Sequence, residues 1–169
     1  TIEANRNYFV DSVKYLTGND TKILIDNDAS NDKPSLDEEQ ARDKIEEEMG
    51  VEVPEFLYRP ETFEFYDYFI RKEAGTVNLQ YEYENNIASL YIDNSRTKTQ
   101  SNNLSVVENS SDMIYIPKEE ILVNISEIQE TGDSVPNYLA EWEWKGCYYQ
   151  FSGKMPKKIF EKILKEMIF

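Results

Sequence analysis

The chain has 169 residues, with 33 Asp or Glu against 18 Lys or Arg, a formal net charge of -15, no histidine and one cysteine. A surface this acidic repels phosphate backbones and anionic headgroups, which argues against nucleic-acid binding and direct membrane-surface binding. Without histidine there are no Ser–His or Cys–His nucleophile pairs and no histidine metal sites, and a lone cysteine can form neither a thiolate zinc cluster nor an intrachain disulfide.

A hydrophobic content of 40% and this length suit one domain over residues 1–169, with a core of its own. No apolar run is long enough to span a bilayer, and no signal peptide is recognisable. Residues 1–34 read as an N-terminal helix and strand, and residues 35–169 as the core of the domain.

In chain order, residues 2–16 predict a helix with Phe9, Val13 and Leu16 on one side and Gly18 as its cap. A short strand follows at 21–25. The polar loop after it partly imitates a calcium loop, with Asp26, Asp28, Ser30 and Asp37 at ligand spacing. Asn31 replaces the required glycine, Pro34 sits inside, and the closing residue is Asp, so the reading is a solvated turn and no metal is assigned. Ser35 and Glu38 have the spacing of a capping box for a helix carrying Ala41, Ile45 and Met49 inward and ending at Gly50.

Residues 51–60 contain two prolines and predict an extended connection. Residues 63–72 predict an aromatic strand of mixed phase, because Phe63, Phe65 and Phe69 share a face with Asp67; a bulge or burial on both sides would account for such a pattern. Gly75 leads into a hairpin turned at Asn85-Asn86, which sets Val77, Leu79, Tyr81 and Tyr83 on the face of Ala88, Leu90 and Ile92. Residues 94–103 read as a polar loop. Two more strands are expected at 113–116 and 121–128, with Pro117 between them, and another loop at 131–137.

Residues 138–144 alternate apolar and polar side chains, the mark of a strand with one buried face. Lys145-Gly146 then makes a two-residue turn, pairing Trp144 with Cys147, Trp142 with Tyr149 and Ala140 with Phe151. Glu141, Glu143 and Gln150 fall on the opposite face. Cys147 therefore reads as packing. Pro156 opens a last helix whose apolar stripe is Ile159, Phe160, Ile163, Leu164, Met167 and Ile168, with Glu161 and Lys165 spaced as a surface ion pair. The expected class is α+β: an antiparallel β-sheet meander with helices packed on one face, the C-terminal helix among them.

Three blocks carry a family resemblance. They are the helix at 38–49 with Gly50-Val51-Glu52-Val53-Pro54 and Tyr58-Arg59-Pro60-Glu61-Thr62-Phe63; the hairpin from Leu79-Gln80-Tyr81-Glu82-Tyr83 to Tyr91-Ile92; and Trp142 through Gly153 with its helix. Over residues 36–169 the chain resembles the bacterial domain-of-unknown-function family 4367, seen chiefly in Gram-positive gut bacteria. The resemblance implies an extracytoplasmic domain, commonly placed after a single membrane span and sometimes in proteins similar to anti-sigma regulators. It brings no catalytic residues with it. The chain opens at Thr1 rather than Met, which fits a membrane anchor ahead of it.

The first functional expectation is thus a non-enzymatic extracytoplasmic interaction or sensing domain, membrane-tethered, whose partner is another protein or a cell-envelope component. Tyr66, Tyr68, Tyr91 and Tyr148 are expected to face outward and could serve such an interface, although tyrosines also simply cover sheets. The alternative is a carrier or sensor of an apolar ligand, with Trp142, Trp144, Tyr149 and Phe151 lining a sheet–helix cavity; it rests on analogy with periplasmic lipoprotein carriers. A carboxylate hydrolase ranks third, since no acidic pair stands out. No catalytic, cofactor-binding or metal residue is assigned.

Overall fold

A computed structural model describes residues 37–95, 111–128 and 134–169. The helix and strand expected at 2–16 and 21–25, and the acidic loop apart from Asp37, lie outside the described residues.

Helix α1 (Glu38–Met49) begins at Asp37, whose side chain accepts the Glu39 N–H at 2.9 Å. Asp37 is the N-cap in place of the expected Ser35, and Glu38 and Glu39 complement the positive end of the helix dipole. Gly50 closes the helix at φ 64°, a left-handed conformation that glycine adopts without a Cβ penalty, and its N–H reaches Glu46 O at 2.9 Å. Only Ala41 and Ile45 of this helix are buried, so its place depends on the following segment, where Val51, Val53, Phe56 and Phe63 all enter the core. That segment includes the short strand β1 (Glu55–Phe56).

Seven strands form one antiparallel sheet: β2 (Glu64–Arg71), β3 (Thr76–Tyr83), β4 (Asn86–Asp93), β5 (Ser111–Ile116), β6 (Ile121–Ile128), β7 (Asn137–Trp144) and β8 (Cys147–Lys154). Their spatial order is β2-β3-β4-β8-β7-β6-β5. The meander therefore comes in two runs. After β4 the chain crosses to the far edge at β5 and returns inward, so that β8 pairs with β4 at the centre of the sheet.

The β7–β8 register is as expected, with Trp144 opposite Cys147, Trp142 opposite Tyr149 and Ala140 opposite Phe151. Lys145 and Gly146 turn at φ 46° and 82°, the positive values that suit the right-handed twist of the flanking strands. The β3–β4 turn falls one residue earlier than expected, at Glu84-Asn85 with φ 45° and 64°. That slip moves every pairing by two positions, and because side chains alternate with period two, the same residues stay on the core face.

Helix α2 (Lys157–Lys165) buries Phe160, Ile163 and Leu164 against the sheet. The Phe160 ring lies 5.2 Å from Phe151 and 5.5 Å from Tyr138. Each such side chain contributes about 1.5–3 kcal/mol on burial. The expected helix stops short of Met167 and Ile168. Those residues instead form β9 (Met167–Ile168), which pairs antiparallel with β1, Met167 opposite Phe56.

The opposite face of the central strands is polar and hydrogen-bonded. Ser89 stands across from Ser152 and Tyr91 from Gln150, and the Ser89 hydroxyl donates to Asn78. Asp93 accepts from the Ser95 N–H and hydroxyl at 2.8 and 2.6 Å.

Candidate functional site

The β5–β6 hairpin departs from the pattern of the other strands. On the core face, Ile114, Ile116, Ile121, Val123 and Ile125 are buried. The other face should then carry polar residues, as in a sheet with one wet side. Instead it carries Met113, Tyr115 and Leu122, exposed by 61%, 55% and 55%. Tyr115 pairs with Leu122 and Met113 with Asn124, so the three apolar side chains share one patch. Single exposed apolar residues need no explanation, but contiguous ones mark surfaces that meet something.

The patch lies at the end of the sheet. Among the described strands β5 pairs only with β6, so one row of its backbone N–H and C=O groups faces away from the sheet. Carboxylates rim the patch. The connecting turn carries Glu119 and Glu120 beside Lys118, with Glu120 exposed. Asn124 pairs with Glu141, and continuing that register sets the exposed Glu143 level with Leu122.

The four tyrosines expected to form an interface do not make one exposed patch, although Tyr91 and Tyr148 are diagonal neighbours on one face of β4 and β8. Tyr66 is exposed and sits in the bulge between Phe65 and Asp67. The bulge inserts one residue and so reverses the phase after it. Tyr68 consequently pairs with Leu79 and packs against the core, with the Lys44 ammonium 6.0 Å from its ring. Tyr91 is half-buried, its hydroxyl 3.5 Å from Asp93. Tyr148 is only 6% exposed; its hydroxyl donates to Glu141 and lies 3.3 Å from the Gln150 amide oxygen.

The residues expected to line a cavity all face the core and find ring partners there, Phe151 against Phe56, Phe63 and Phe160. Trp142 stacks on Tyr149 at 5.5 Å, and Phe169 closes on Trp144 at 5.1 Å and on Tyr149 at 5.4 Å. One feature there is unbalanced: Trp142 is buried, yet among the described residues its indole N–H has no hydrogen-bond partner, which is costly in an apolar setting.

Other polar contacts fasten elements together. Glu38 receives Arg59 at 2.7 and 2.9 Å and the buried Tyr81 hydroxyl at 3.0 Å, while Arg59 Nε donates to Phe56 O at 3.1 Å. Burial, reinforced by the Glu38 charge, pushes the Tyr81 hydroxyl well above the usual phenol range. Glu52 accepts from Lys145 Nζ at 2.6 Å and Trp144 Nε1 at 3.1 Å, and the hydrogen bond from Lys145 holds its carboxyl below the usual range. The Cys147 thiol is raised by burial, opposite to what a reactive thiolate needs. Among the described residues no group of three or more His, Cys, Asp or Glu is placed to hold a metal, and Asp37 is engaged as the cap of α1.

Sequence reasoning missed Met113, Tyr115 and Leu122, though a signal was present. Residues 113–116 and 121–123 are apolar at every position, whereas a strand at the edge of a half-wet sheet should alternate.

No curated protein and no solved structure matches the chain. A family model does match, over residues 53–167, which run from the segment entering β1 through Met167 of β9 and take in the whole sheet and α2. The chain belongs to the family described as Domain of unknown function (DUF4367).

Proposed function

We propose that this chain is an extracytoplasmic, membrane-tethered interaction or sensing domain without catalytic activity, and that it meets a protein partner on the outer face of β5 and β6. The observation that carries the reading is the side-by-side exposure of Met113, Tyr115 and Leu122 at the end of the sheet. Three large apolar side chains kept in water gain free energy when a partner covers them. The extracytoplasmic and tethered parts rest on the implications of the family resemblance. Among the described residues no helix is long and apolar enough to cross a membrane, so neither α1 nor α2 is the tether in this reading.

The test uses the purified chain, fluorescently labelled, titrated onto cell envelopes of its source organism. Saturable binding that Tyr115→Ser with Leu122→Ser weakens, and that Lys72→Ser leaves alone, is the expected result. Equal binding by all three, or none, overturns the docking face. Protease accessibility in intact cells checks the location.

A second reading, a carrier or sensor of an apolar ligand, is favoured by the buried indole N–H of Trp142, which has no partner among the described residues. A ligand with an acceptor group could satisfy that donor if the aromatic packing opened. Titration with a fluorescent fatty-acid probe, following tryptophan emission, tests it. Saturable binding with a tryptophan response supports the carrier, and a flat response by a folded sample removes it.

A further inference from the structure

We infer that the partner enters as an extended, basic and apolar polypeptide segment that adds to the sheet as a strand beside β5; this rests on the docking face proposed above. Three features of that edge select the same occupant. The first is the outward row of backbone groups on β5, which among the described strands pairs only with β6. A strand laid there gains main-chain hydrogen bonds that depend little on sequence. The second is the alternation of the edge itself. Met113 and Tyr115 lie on the outer face and Ile114 and Ile116 on the core face, so a paired strand would set every second side chain against Met113 and Tyr115.

The third feature is charge. Glu119, Glu120 and Glu143 rim the patch against the single cation Lys118 in the turn, and the chain as a whole carries a net charge of -15. A second copy of the chain would bring like charge onto like charge, and an anionic lipid surface would do the same. A segment with apolar residues at every second position, set against Met113 and Tyr115, and with Lys or Arg at its ends, where one end meets Glu119 and Glu120, matches both the patch and its rim. Asp112 does not add to this rim, because it is paired with Lys157 of α2.

The test uses the full chain and a capped nine-residue peptide that alternates Val with Thr and carries Lys at both ends. Controls are the same peptide with Glu for Lys, and one N-methylated at alternate residues so that it cannot donate along one edge. The expected result is saturable binding of the Lys peptide alone, with slowed amide exchange at residues 111–116. Tyr115→Ser or Leu122→Ser weakens it by about tenfold, and Glu143→Lys or added salt by roughly threefold. Both serine variants change exposed side chains, so the fold is retained as a control.

Equal binding of the Lys and Glu peptides, insensitive to salt, overturns the basic partner while leaving the docking face standing. Equal binding of the N-methylated peptide overturns strand addition alone. Peptide binding untouched by both serine variants overturns the inference and the docking face together. If no peptide binds at millimolar concentration the inference fails, and the envelope titration with the same variants still decides the docking face. Self-association of the chain abolished by Leu122→Ser assigns the face to a second copy and overturns the inference.

Discussion

Tyr115 and Leu122 face each other across the β5–β6 ladder, and more than half of each side chain is in water. On the reverse of the same two strands, Ile114, Val123 and Ile125 are buried. The hairpin is therefore apolar on both faces, but only one of them is used by the fold.

That division predicts opposite mutational behaviour from the two faces. Tyr115→Ser and Leu122→Ser should change folding stability by no more than about 0.5 kcal/mol, the usual range for surface sites. Ile125→Ala should cost about 2–5 kcal/mol, because the surrounding core closes only partly around the lost methyl groups. Denaturant midpoints at constant slope check this; a large loss from Leu122→Ser would show that the patch supports the fold.

Tyr81 and Glu38 predict an alkaline limb. The Tyr81 hydroxyl is buried and held by Glu38, which keeps its proton on well above the usual range. An unfolded tyrosine titrates near about pH 10. Above that pH the folded state holds more protons than the unfolded one, so stability is fully present below about pH 10 and declines as pH rises toward the folded value. Tyr149, raised first by burial, acts in the same direction. Tyr81→Phe should cost about 1 kcal/mol at neutral pH and make the decline between about pH 9 and pH 11 shallower. An unchanged pH slope counts against this account.

Glu52 predicts the acid counterpart. The hydrogen bond from Lys145 Nζ, then that from Trp144 Nε1, holds its carboxyl below the usual range. Its contribution is present above the unfolded carboxylate value and is lost as pH falls through the folded one. Glu52→Gln should flatten this part of the acid limb, read from denaturant midpoints at falling pH. Because the carboxylate is largely open to solvent, the change should be small and should shrink further with salt.

Gly153 predicts a steric effect. A Cβ there would stand 2.8 Å from Met155 Cε and 3.1 Å from Ala88 Cβ. Met155 can shift its flexible end, but Ala88 sits on the neighbouring central strand and cannot easily yield. Gly153→Ala should destabilise by about 1–3 kcal/mol, and pairing it with Ala88→Gly should restore part of the loss. Additive destabilisation in the double variant would contradict the close approach of β8 to β4.

What could be read in advance follows from how local the determining contacts are. The Trp142–Tyr149 pair was legible because a two-residue turn at Lys145-Gly146 leaves one register. The β3–β4 faces survived a misplaced turn because the slip was even. Tyr68 was placed on the wrong face because the extra residue of the bulge sits just before it, at Tyr66. Met167 looked helical because its strand partner, Phe56, lies at the far end of the sheet domain in sequence, and local periodicity carries no trace of that pairing. The β4–β8 contact, which divides the meander, is non-local in the same way. Met113, Tyr115 and Leu122 were hidden because apolar residues in a strand are ordinarily counted toward the core.

The most direct measurement places a photo-reactive residue at position 115 of the chain in its native cell envelope, with position 72, in the turn that follows the opposite edge strand β2, as the control. The account predicts a discrete protein adduct from position 115, absent from position 72 and lost when Leu122→Ser is added. No adduct from position 115, or the same products from both positions, would contradict a docking surface on β5 and β6.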